Sequence, residues 1–516
     1  MLRWRLMAGF TLISLAVCVA WLCQTSRGLG VAGQWIITPH DWWPIGAWGL
    51  PLVVLFLFGG LAALSAYDCF MRAKSPKESR QSVGLCIGAL TLFAILWPWF
   101  LLGPSGTQNL ISASFSDVSN QYFAAAWQMQ NARDYTRDYA DKEQKPPSIM
   151  LAHVATHPPG AVLFYAVARD LYRALPPLKS TFDGLTRWLT QGDLATAALS
   201  ANASRRTAAK FAGVSQAPAD LPLDAVGGAI FSAFLLSLAV AFCVPAIFWL
   251  ASLGEENLEL RRARGMTAAA LFAVAPAVGL FTFTIDALIA AGILWALLFL
   301  ALGLEREKYF WLVLSGALAG LMCFVSFGAL AVLAVMGIVV LWHRRRSWIA
   351  ALVLALSFVG IWGILQSIFP MQSLLIFKQA MAAHRFATLQ SRTWSIWVWV
   401  NVIVFAVFAG LPLWWVSLTN SIETLRNKCR QITVGQQIGI ATFAVMLLLT
   451  LSGGARGEVE RLWFFLIAPL AILAGQHLIE KSLSRKTIYL LSALLAAGCI
   501  QTILMATALG PLVRPF

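Results

Sequence analysis

The residues best suited to chemistry stand in one polar stretch between apolar segments, from Asp117 to Gly160. Asp117 opens the stretch, and His153 and His157 come near its end, where residues 157–160 read H-P-P-G. A carboxylate at a water–lipid boundary can act as a general base toward an acceptor hydroxyl, and an aspartate can equally cap the helix that follows it. The two prolines fix a rigid corner, which either aims the histidines into a cavity or leaves His157 exposed. The stretch therefore predicts a catalytic loop at the membrane surface, with a plain capped helix and corner as the alternative.

One residue and one segment later in the chain also place charged side chains next to apolar runs. Asp286 stands at a hairpin between apolar runs, where an acid is a functional-site candidate unless it simply faces water. The segment 452–461 combines glycines with Arg456, Glu458 and Arg461. Arginine holds phosphate oxygens in a bidentate fork, although arginines at a helix end can also snorkel toward water. This segment predicts a phosphate-binding loop.

The composition indicates a polytopic membrane protein. The chain has 516 residues, of which 59% are hydrophobic and 12% are charged, against about 25% charged residues in soluble domains. The net charge of +15 does not indicate a nucleic-acid partner, because the basic residues fall in short clusters between apolar runs, as orientation signals do. The eight cysteines form neither a CxxC pair nor a zinc-binding spacing. His153 and His157 have no clear third ligand, so no metal site is predicted.

Apolar runs of roughly 20 residues can each cross a bilayer as a helix. The predicted fold class is therefore all-α, a polytopic membrane protein with about 13 transmembrane helices and with interfacial helices in its first large extracytoplasmic loop. The predicted spans are residues 7–23, 46–67, 84–103, 225–252, 266–284, 287–304, 309–325, 327–342, 347–368, 394–418, 436–451, 462–478 and 487–510. They divide the chain into a three-span region (1–103), an extracytoplasmic loop with the candidate catalytic motif (104–224) and a ten-span bundle (225–516).

The distribution of lysine and arginine predicts the orientation. With a cytoplasmic N-terminus, the inside segments hold 20 of the 38 basic residues, the short outside segments hold 7, and the segment 104–224 holds the other 11. This bias puts the N-terminus inside and the long segment outside, provided that residues 161–175 lie in the interface instead of crossing. Residues 118–133 have a similar amphipathic pattern. Residues 176–224 are predicted to be a soluble excursion or a partly ordered connection.

Taken in order, these residues resemble the motifs of the GT-C class of polyprenyl-phosphate-dependent membrane glycosyltransferases, such as the protein mannosyltransferases and the aminoarabinose lipid A transferases. The resemblance consists of an acid and a tyrosine in the first large outer loop, the H-P-P-G corner, a proline-containing span before a second outer acid, and a late R-G-E-x-x-R-L-W loop. The residues concerned are Asp117, Tyr122, residues 157–160, Pro276, Asp286, Arg456, Glu458 and Arg461. The sequence departs from the family in three places: three spans precede the loop instead of one, Val118 replaces a second acid, and His157 replaces a lysine.

The resemblance implies an integral-membrane glycosyltransferase that takes a sugar from a polyprenyl-phosphate donor, with inversion, on the extracytoplasmic side of a bacterial inner or plasma membrane. Asp117 would be the general base, and Asp286 would assist it or bind sugar hydroxyls. The two arginines of the late loop would hold the lipid phosphate. The implied substrate-binding residues are Tyr122, His153, His157, Arg456, Glu458 and Arg461.

The implied partners are the lipid-linked sugar donor, membrane lipids and an acceptor that is a glycan, a lipid or a protein, but not a nucleic acid. No cofactor is implied besides the donor, and a requirement for a divalent metal stays open. The alternative functions are a lipid-linked polysaccharide polymerase or ligase, a transporter and a non-catalytic scaffold. A polymerase or ligase would carry its dominant outer loop late in the chain, and a transporter would show internal repeats.

Overall fold

A computed structural model describes residues 16, 29–32, 34–37, 76–118, 120–144, 154–211, 213, 217–343, 347–426, 432–479 and 485–509. Within these ranges the protein is all-α, as predicted, apart from one antiparallel ribbon in which β1 (Leu29–Val31) pairs with β2 (Trp35–Ile37). The predicted spans 7–23, except residue 16, and 46–67 lie outside the described residues, as does His153.

The part of the chain described between residues 76 and 211 consists of one long helix and six shorter ones. They are α1 (Pro76–Phe115), α2 (Gln121–Gln128), α3 (Ala132–Arg137), α4 (Tyr139–Lys142), α5 (Gly160–Ala174), α6 (Pro176–Thr190) and α7 (Leu194–Phe211). At 1.5 Å per residue, the 40 residues of α1 extend about 60 Å. The hydrocarbon core of a bilayer is roughly 30 Å thick, so α1 is longer than one crossing, and its apolar part is Gln81–Leu102.

The remaining helices form an apolar bundle. They are α8 (Ala225–Ser252), α9 (Leu258–Ala273), α10 (Pro276–Phe281), α11 (Ile285–Glu305), α12 (Tyr309–Val325), α13 (Leu330–Trp342), α14 (Ser347–Ile368), α15 (Ser373–His384), α16 (Trp394–Ala409), α17 (Leu411–Arg426), α18 (Val434–Ser452), α19 (Val459–Leu462), α20 (Ile467–Leu478) and α21 (Arg485–Leu509). Turns of 3-10 helix at Phe327–Ala329 and Phe464–Leu466 precede α13 and α20, and a π-helical turn at Arg385–Leu389 follows α15.

Several helices are long and apolar enough to cross a membrane. Among the described residues there are six, or seven if the bent pair α16 and α17 forms one span. These six are Gln81–Leu102, Ala225–Ser252, Ile285–Glu305, Ser347–Ile368, Val434–Ser452 and Thr487–Leu509. Three further apolar helices are shorter, at Tyr309–Val325, Phe327–Trp342 and Phe464–Leu478. The protein thus has the helices of an integral membrane protein, while the predicted count of thirteen spans is not confirmed.

Two predicted spans are broken in the structure. The span predicted at 266–284 is interrupted, because α9 ends at Ala273 and Pro276 begins the separate helix α10. Proline lacks the backbone N–H that a helix interior requires, and it is well accommodated at a helix start. The span predicted at 394–418 bends by 112° between α16 and α17. The bend lies at Gly410, whose φ of 96° is a conformation that favours glycine.

The bundle has two distinct ends. At one of them, Arg264 in α9 donates a hydrogen bond from Nε to the carbonyl oxygen of Ile479, which follows α20, at 2.9 Å. At the same end Gly254, which follows α8, lies against Thr433 before α18 and against Glu305 at the end of α11. We call this the Arg264 end. The opposite ends of these helices form the Asp286 end, which is named after the acid in the first turn of α11.

Helix α5 lies across the Asp286 end. At its start, Gly160 approaches α12 so closely that a Cβ atom there would lie 2.2 Å from the carbonyl oxygen of Phe324. Near its other end, Arg173 forms an ion pair of 2.7 Å with Asp224, just before α8 begins. The end of α12 and the start of α8 both belong to the Asp286 end, so α5 runs along this end instead of through the bundle. That residues 161–175 lie in the membrane interface stays a prediction.

Most of residues 176–224, the stretch predicted to be a soluble excursion or a partly ordered connection, is helical. Pro176 and Pro177 occupy the first turn of α6, where their missing N–H groups cost no helical hydrogen bond. The sequence of α7 is rich in alanine, the residue with the strongest helix propensity. Helix α7 packs against α1, and α6 packs against α8. The two helices therefore belong to the folded body at the Asp286 end.

Candidate active site

Arg461 lies at the centre of a chain of ion pairs at the Asp286 end. Its guanidinium contacts Asp286 (Nε to Oδ2, 3.4 Å) and Glu458 (Nη2 to Oε2, 3.2 Å). The other oxygen of Glu458 accepts a hydrogen bond from Nη2 of Arg392 at 2.9 Å. The hydroxyl of Thr284 donates to Oδ2 of Asp286 at 3.1 Å. We call Asp286, Arg461, Glu458 and Arg392 the Arg461 cluster; it joins three segments that are distant in sequence.

The backbone at Glu458 is held in an unusual conformation. Glu458 has φ of 59°, in the left-handed region, and it follows Gly457 with φ of 85°. A non-glycine residue in this region costs on the order of 1–3 kcal/mol and persists where surrounding contacts fix it. The contacts here are the two arginines, one on each carboxylate oxygen. Strain of this kind is concentrated at functional sites, so it is a reason to treat this loop as one.

Arg456 ties the late loop to the segment before α16. Its Nη1 donates to the carbonyl oxygens of Leu389 and Arg392, each at 2.7 Å, and its Nε donates to the carbonyl oxygen of Gly453 at 3.2 Å. Arg392 in turn donates to the carbonyl oxygen of Arg456. The guanidinium of Arg456 therefore holds backbone through Nε and Nη1, and its contact with a lipid phosphate stays a prediction.

Asn401 of α16 forms hydrogen bonds with the backbone of the same loop, residues 453–458. Its side chain is fully buried. It donates from Nδ2 to the carbonyl oxygen of Ala455 at 2.8 Å, and its Oδ1 accepts a hydrogen bond from the N–H of Gly457 at 3.0 Å. Both polar ends of the amide are satisfied by loop backbone, as a buried amide requires. Asn401 thereby fixes the backbone immediately before Glu458.

Helix α2 and the H-P-P-G corner form a further wall of the site. The buried ring of Tyr122 meets the ring of His157 edge to face, with 5.4 Å between centroids. Tyr122 is also within electrostatic reach of Arg461 and Asp286. Tyr139 stabilises the corner, because its hydroxyl lies 2.7 Å and 2.9 Å from the carbonyl oxygens of Val154 and His157.

Burial and neighbouring charges determine the protonation states of Tyr122 and Arg461. Burial raises the pKa of Tyr122 well above its ordinary range, although the charge of Arg461 opposes this shift. Burial disfavours the charged form of Arg461, but Asp286 and Glu458 outweigh it and raise the arginine pKa. The site therefore offers a neutral phenol hydroxyl beside a permanent cation, which suits an oxygen-rich anionic ligand.

Asp117 is held in a separate ion pair. Arg205 of α7 donates from Nε to its Oδ2 at 2.7 Å and from Nη2 to its Oδ1 at 2.9 Å. The side chains are 13% and 2% exposed for Asp117 and Arg205 respectively. Within the described residues, the ion pair of Asp117 is with Arg205 and not with the Arg461 cluster. The helix-cap alternative is wrong, because Asn120 occupies the N-cap position of α2.

The predicted site residues differ in how they relate to the Arg461 cluster. Five of them lie in or against the cluster: Tyr122, His157, Asp286, Glu458 and Arg461. Arg456 supports the cluster through backbone, and Asp117 lies in its own ion pair with Arg205. His153 lies outside the described residues.

Three residues of the site were missed from sequence. Arg392 was not among the predicted site residues, and its guanidinium lies 6.0 Å from the ring of Trp397. Asn401 had no signal except that it is a polar residue within an apolar helix. Glu460 occupies an unspecified position of the R-G-E-x-x-R pattern and is buried.

Within the described residues, no group of three or more His, Cys, Asp and Glu side chains could hold a metal ion. Comparison of the chain with protein-family models, with curated proteins and with solved structures returned no match.

Proposed function

We propose that the protein is an integral-membrane glycosyltransferase that moves a sugar from a polyprenyl-phosphate donor to an acceptor hydroxyl at the Asp286 end. The observation that carries this proposal is the convergence of Tyr122, His157, Asp286, Glu458 and Arg461. Ionisable groups gathered at the end of an apolar bundle are functional-site candidates by default. Their order along the chain resembles that of the GT-C motifs, and this resemblance supplies the donor class.

We assign the lipid phosphate to Arg461. Its cation is permanent and is shared between two carboxylates, so a phosphate oxygen can take the place of one of them. The phenol hydroxyl of Tyr122 beside it can donate a second hydrogen bond. Arg456 has a positioning role in this proposal, since its donors are directed to carbonyl oxygens of the neighbouring segment.

We assign the general base to Asp286 instead of Asp117. Both oxygens of Asp117 accept hydrogen bonds from a single buried guanidinium, so protonating this residue would break a buried ion pair. In Asp286, the ion pair and the hydroxyl contact both involve Oδ2. Asp286 also lies in the same cluster as the arginine that would hold the donor.

The proposed reaction is a single displacement at the anomeric carbon. The acceptor oxygen forms a bond to this carbon while the bond between the carbon and the phosphate oxygen breaks. The electron pair leaves with the lipid phosphate, whose added charge Arg461 stabilises. The acceptor proton passes to the carboxylate of Asp286. Attack opposite the leaving group inverts the configuration.

The test is a transfer assay in proteoliposomes that contain the purified full-length protein and tritiated polyprenyl-phosphate sugars. We expect covalent transfer of label to a supplied acceptor, and a loss of about 10²–10⁴-fold in Asp286→Asn because the amide cannot take the proton. Arg461→Lys should weaken donor binding, since lysine loses the planar fork. Asp220→Asn, at an exposed ion pair with Arg206, is the matched control and should transfer normally.

Other outcomes would select the alternative functions. Label that crosses the vesicle membrane unchanged would indicate a transporter, for which buried charges at a helix end are also typical. Growth of a polymer on the lipid itself would indicate a polymerase or ligase. Full activity of Asp286→Asn would remove the base from the cluster.

A further inference from the structure

Glu460 is a buried acid that the proposed reaction does not use. Its side chain is 2% exposed. Its Oε2 is buried and has no hydrogen-bond partner within the described residues. It stands between Glu458 and Arg461 in sequence, in the short helix α19. An ionised carboxylate in such surroundings is costly unless it is paired and hydrogen-bonded.

Within the described part of the chain, the charged groups that act on Glu460 belong to the site. Glu458 and Arg461 come from its own segment, and Arg392 comes from the segment before α16. Asp286 and Tyr122 act on the same arginine, Arg461. Among the described elements, those packed most closely against α19 are α10, α16 and the 3-10 turn after it, and these three carry no titratable side chain.

These surroundings favour the protonated acid. Burial raises the pKa of Glu460 to about 8, and Glu458 adds to the rise. Its own backbone N–H and the two arginines oppose the shift without cancelling it. At neutral pH the side chain is therefore a neutral carboxylic acid between charged neighbours.

We propose that Glu460 sets the charge of the Arg461 cluster, so that the cluster binds a phosphodiester monoanion only while Glu460 is protonated. This inference rests on the proposed role of Arg461 in holding a lipid phosphate. With Glu460 neutral, Arg392 and Arg461 balance the carboxylates of Asp286 and Glu458, so the cluster has no net charge. When Glu460 ionises, the cluster gains one net negative charge, and a bound anion is repelled at close range.

The experiment measures binding of dihexyl phosphate to the purified full-length protein in detergent by calorimetry, between pH 6.5 and pH 9. This diester is a monoanion throughout, so only the protein titrates. We expect the wild-type affinity to fall roughly tenfold by pH 9, since about a tenth of Glu460 would then be protonated. Glu460→Gln should bind equally at all these pH values. Glu143→Gln removes another acid whose pKa burial raises, and it should keep the wild-type profile.

Proton uptake gives a second measurement that does not depend on a variant. Repeating the titration near pH 9 in buffers of different ionisation enthalpy should show uptake of nearly one proton per diester bound. Binding without a pH dependence or without uptake would overturn the role of Glu460 and leave the phosphate role of Arg461 intact. Absence of binding at every pH would overturn both.

Discussion

The ion pair between Asp117 and Arg205 is buried, so each charge depends on the other for compensation. Removing one partner of such a pair typically costs about 3–5 kcal/mol. We therefore expect Asp117→Asn to lower the Tm of the detergent-solubilised protein clearly, and the double variant Asp117→Leu with Arg205→Met to recover most of the loss. Thermal unfolding followed by light scattering measures both. A normal Tm in Asp117→Asn combined with lost transfer activity would return the general base to Asp117.

The single residue Glu460 also makes a testable contribution to the stability of the folded protein. Its pKa rises from an ordinary 4.5 to about 8 on folding, so between these values the folded protein holds a proton that the unfolded chain has released. The folded state binds more protons there, and stability therefore falls as the pH rises through this window. In Glu460→Gln, which cannot titrate, we expect a flatter dependence of Tm on pH between 5 and 8. Parallel profiles for the variant and the wild type would contradict the buried, protonated acid.

At the scale of elements, the contact between α5 and α12 depends on a missing side chain. An ideal Cβ at Gly160 would lie 2.2 Å from the carbonyl oxygen of Phe324, which is backbone and cannot rotate away. Gly160→Ala should therefore destabilise the protein by about 1–3 kcal/mol, the usual cost of overpacking. Gly184→Ala is the matched control, because nothing lies within 4 Å of a Cβ there and alanine favours a helix. Equal Tm values for the two variants would show that α5 is free to move away from α12.

Uniformly apolar helices could be predicted from sequence almost to the residue. The predicted spans 309–325 and 347–368 coincide with α12 and α14, because a basic residue, Lys308 or Arg346, stands directly before each long apolar run. The hydrophobicity pattern failed to predict a helix that is polar and a break that lies inside an apolar segment. Helix α7 is too polar to be recognised by hydrophobicity and is stabilised by packing against α1. The break at Gly410 depends on one backbone angle inside an apolar segment.

The candidate site was predictable in its residue types and less so in its pairings. Asp286 was singled out because an acid between apolar runs is costly, and Glu458 and Arg461 because their segment combines glycines with arginines that can hold phosphate; the three residues do meet. The partner of Asp117 is 88 residues away in a helix that the sequence pattern did not reveal. No local pattern could therefore distinguish a free carboxylate from one already bound by Arg205.

At the scale of the whole molecule, the two ends of the bundle differ in what they carry. The Asp286 end holds the Arg461 cluster and helices α2 to α7, which lie between the apolar segments that end and begin there. Among the described residues, the connections at the Arg264 end are short, such as residues 253–257 and 306–308. In the proposed reaction, a lipid-linked donor approaches the cluster from the membrane leaflet at the Asp286 end. The orientation of the bundle thus decides which compartment supplies the acceptor.

This orientation can be tested by labelling single cysteines placed at the two ends in a cysteine-free background. Ser180 and Ser204 are exposed in α6 and α7, and Lys308 is exposed in the connection between α11 and α12 at the Arg264 end. Short connections rich in lysine and arginine favour the cytoplasmic side. We therefore expect an impermeant maleimide to label Ser180→Cys and Ser204→Cys in intact cells, and Lys308→Cys only after the membrane is opened. The reverse pattern would put the Arg461 cluster in the cytoplasm, and labelling of all three from outside would mean that α11 does not cross.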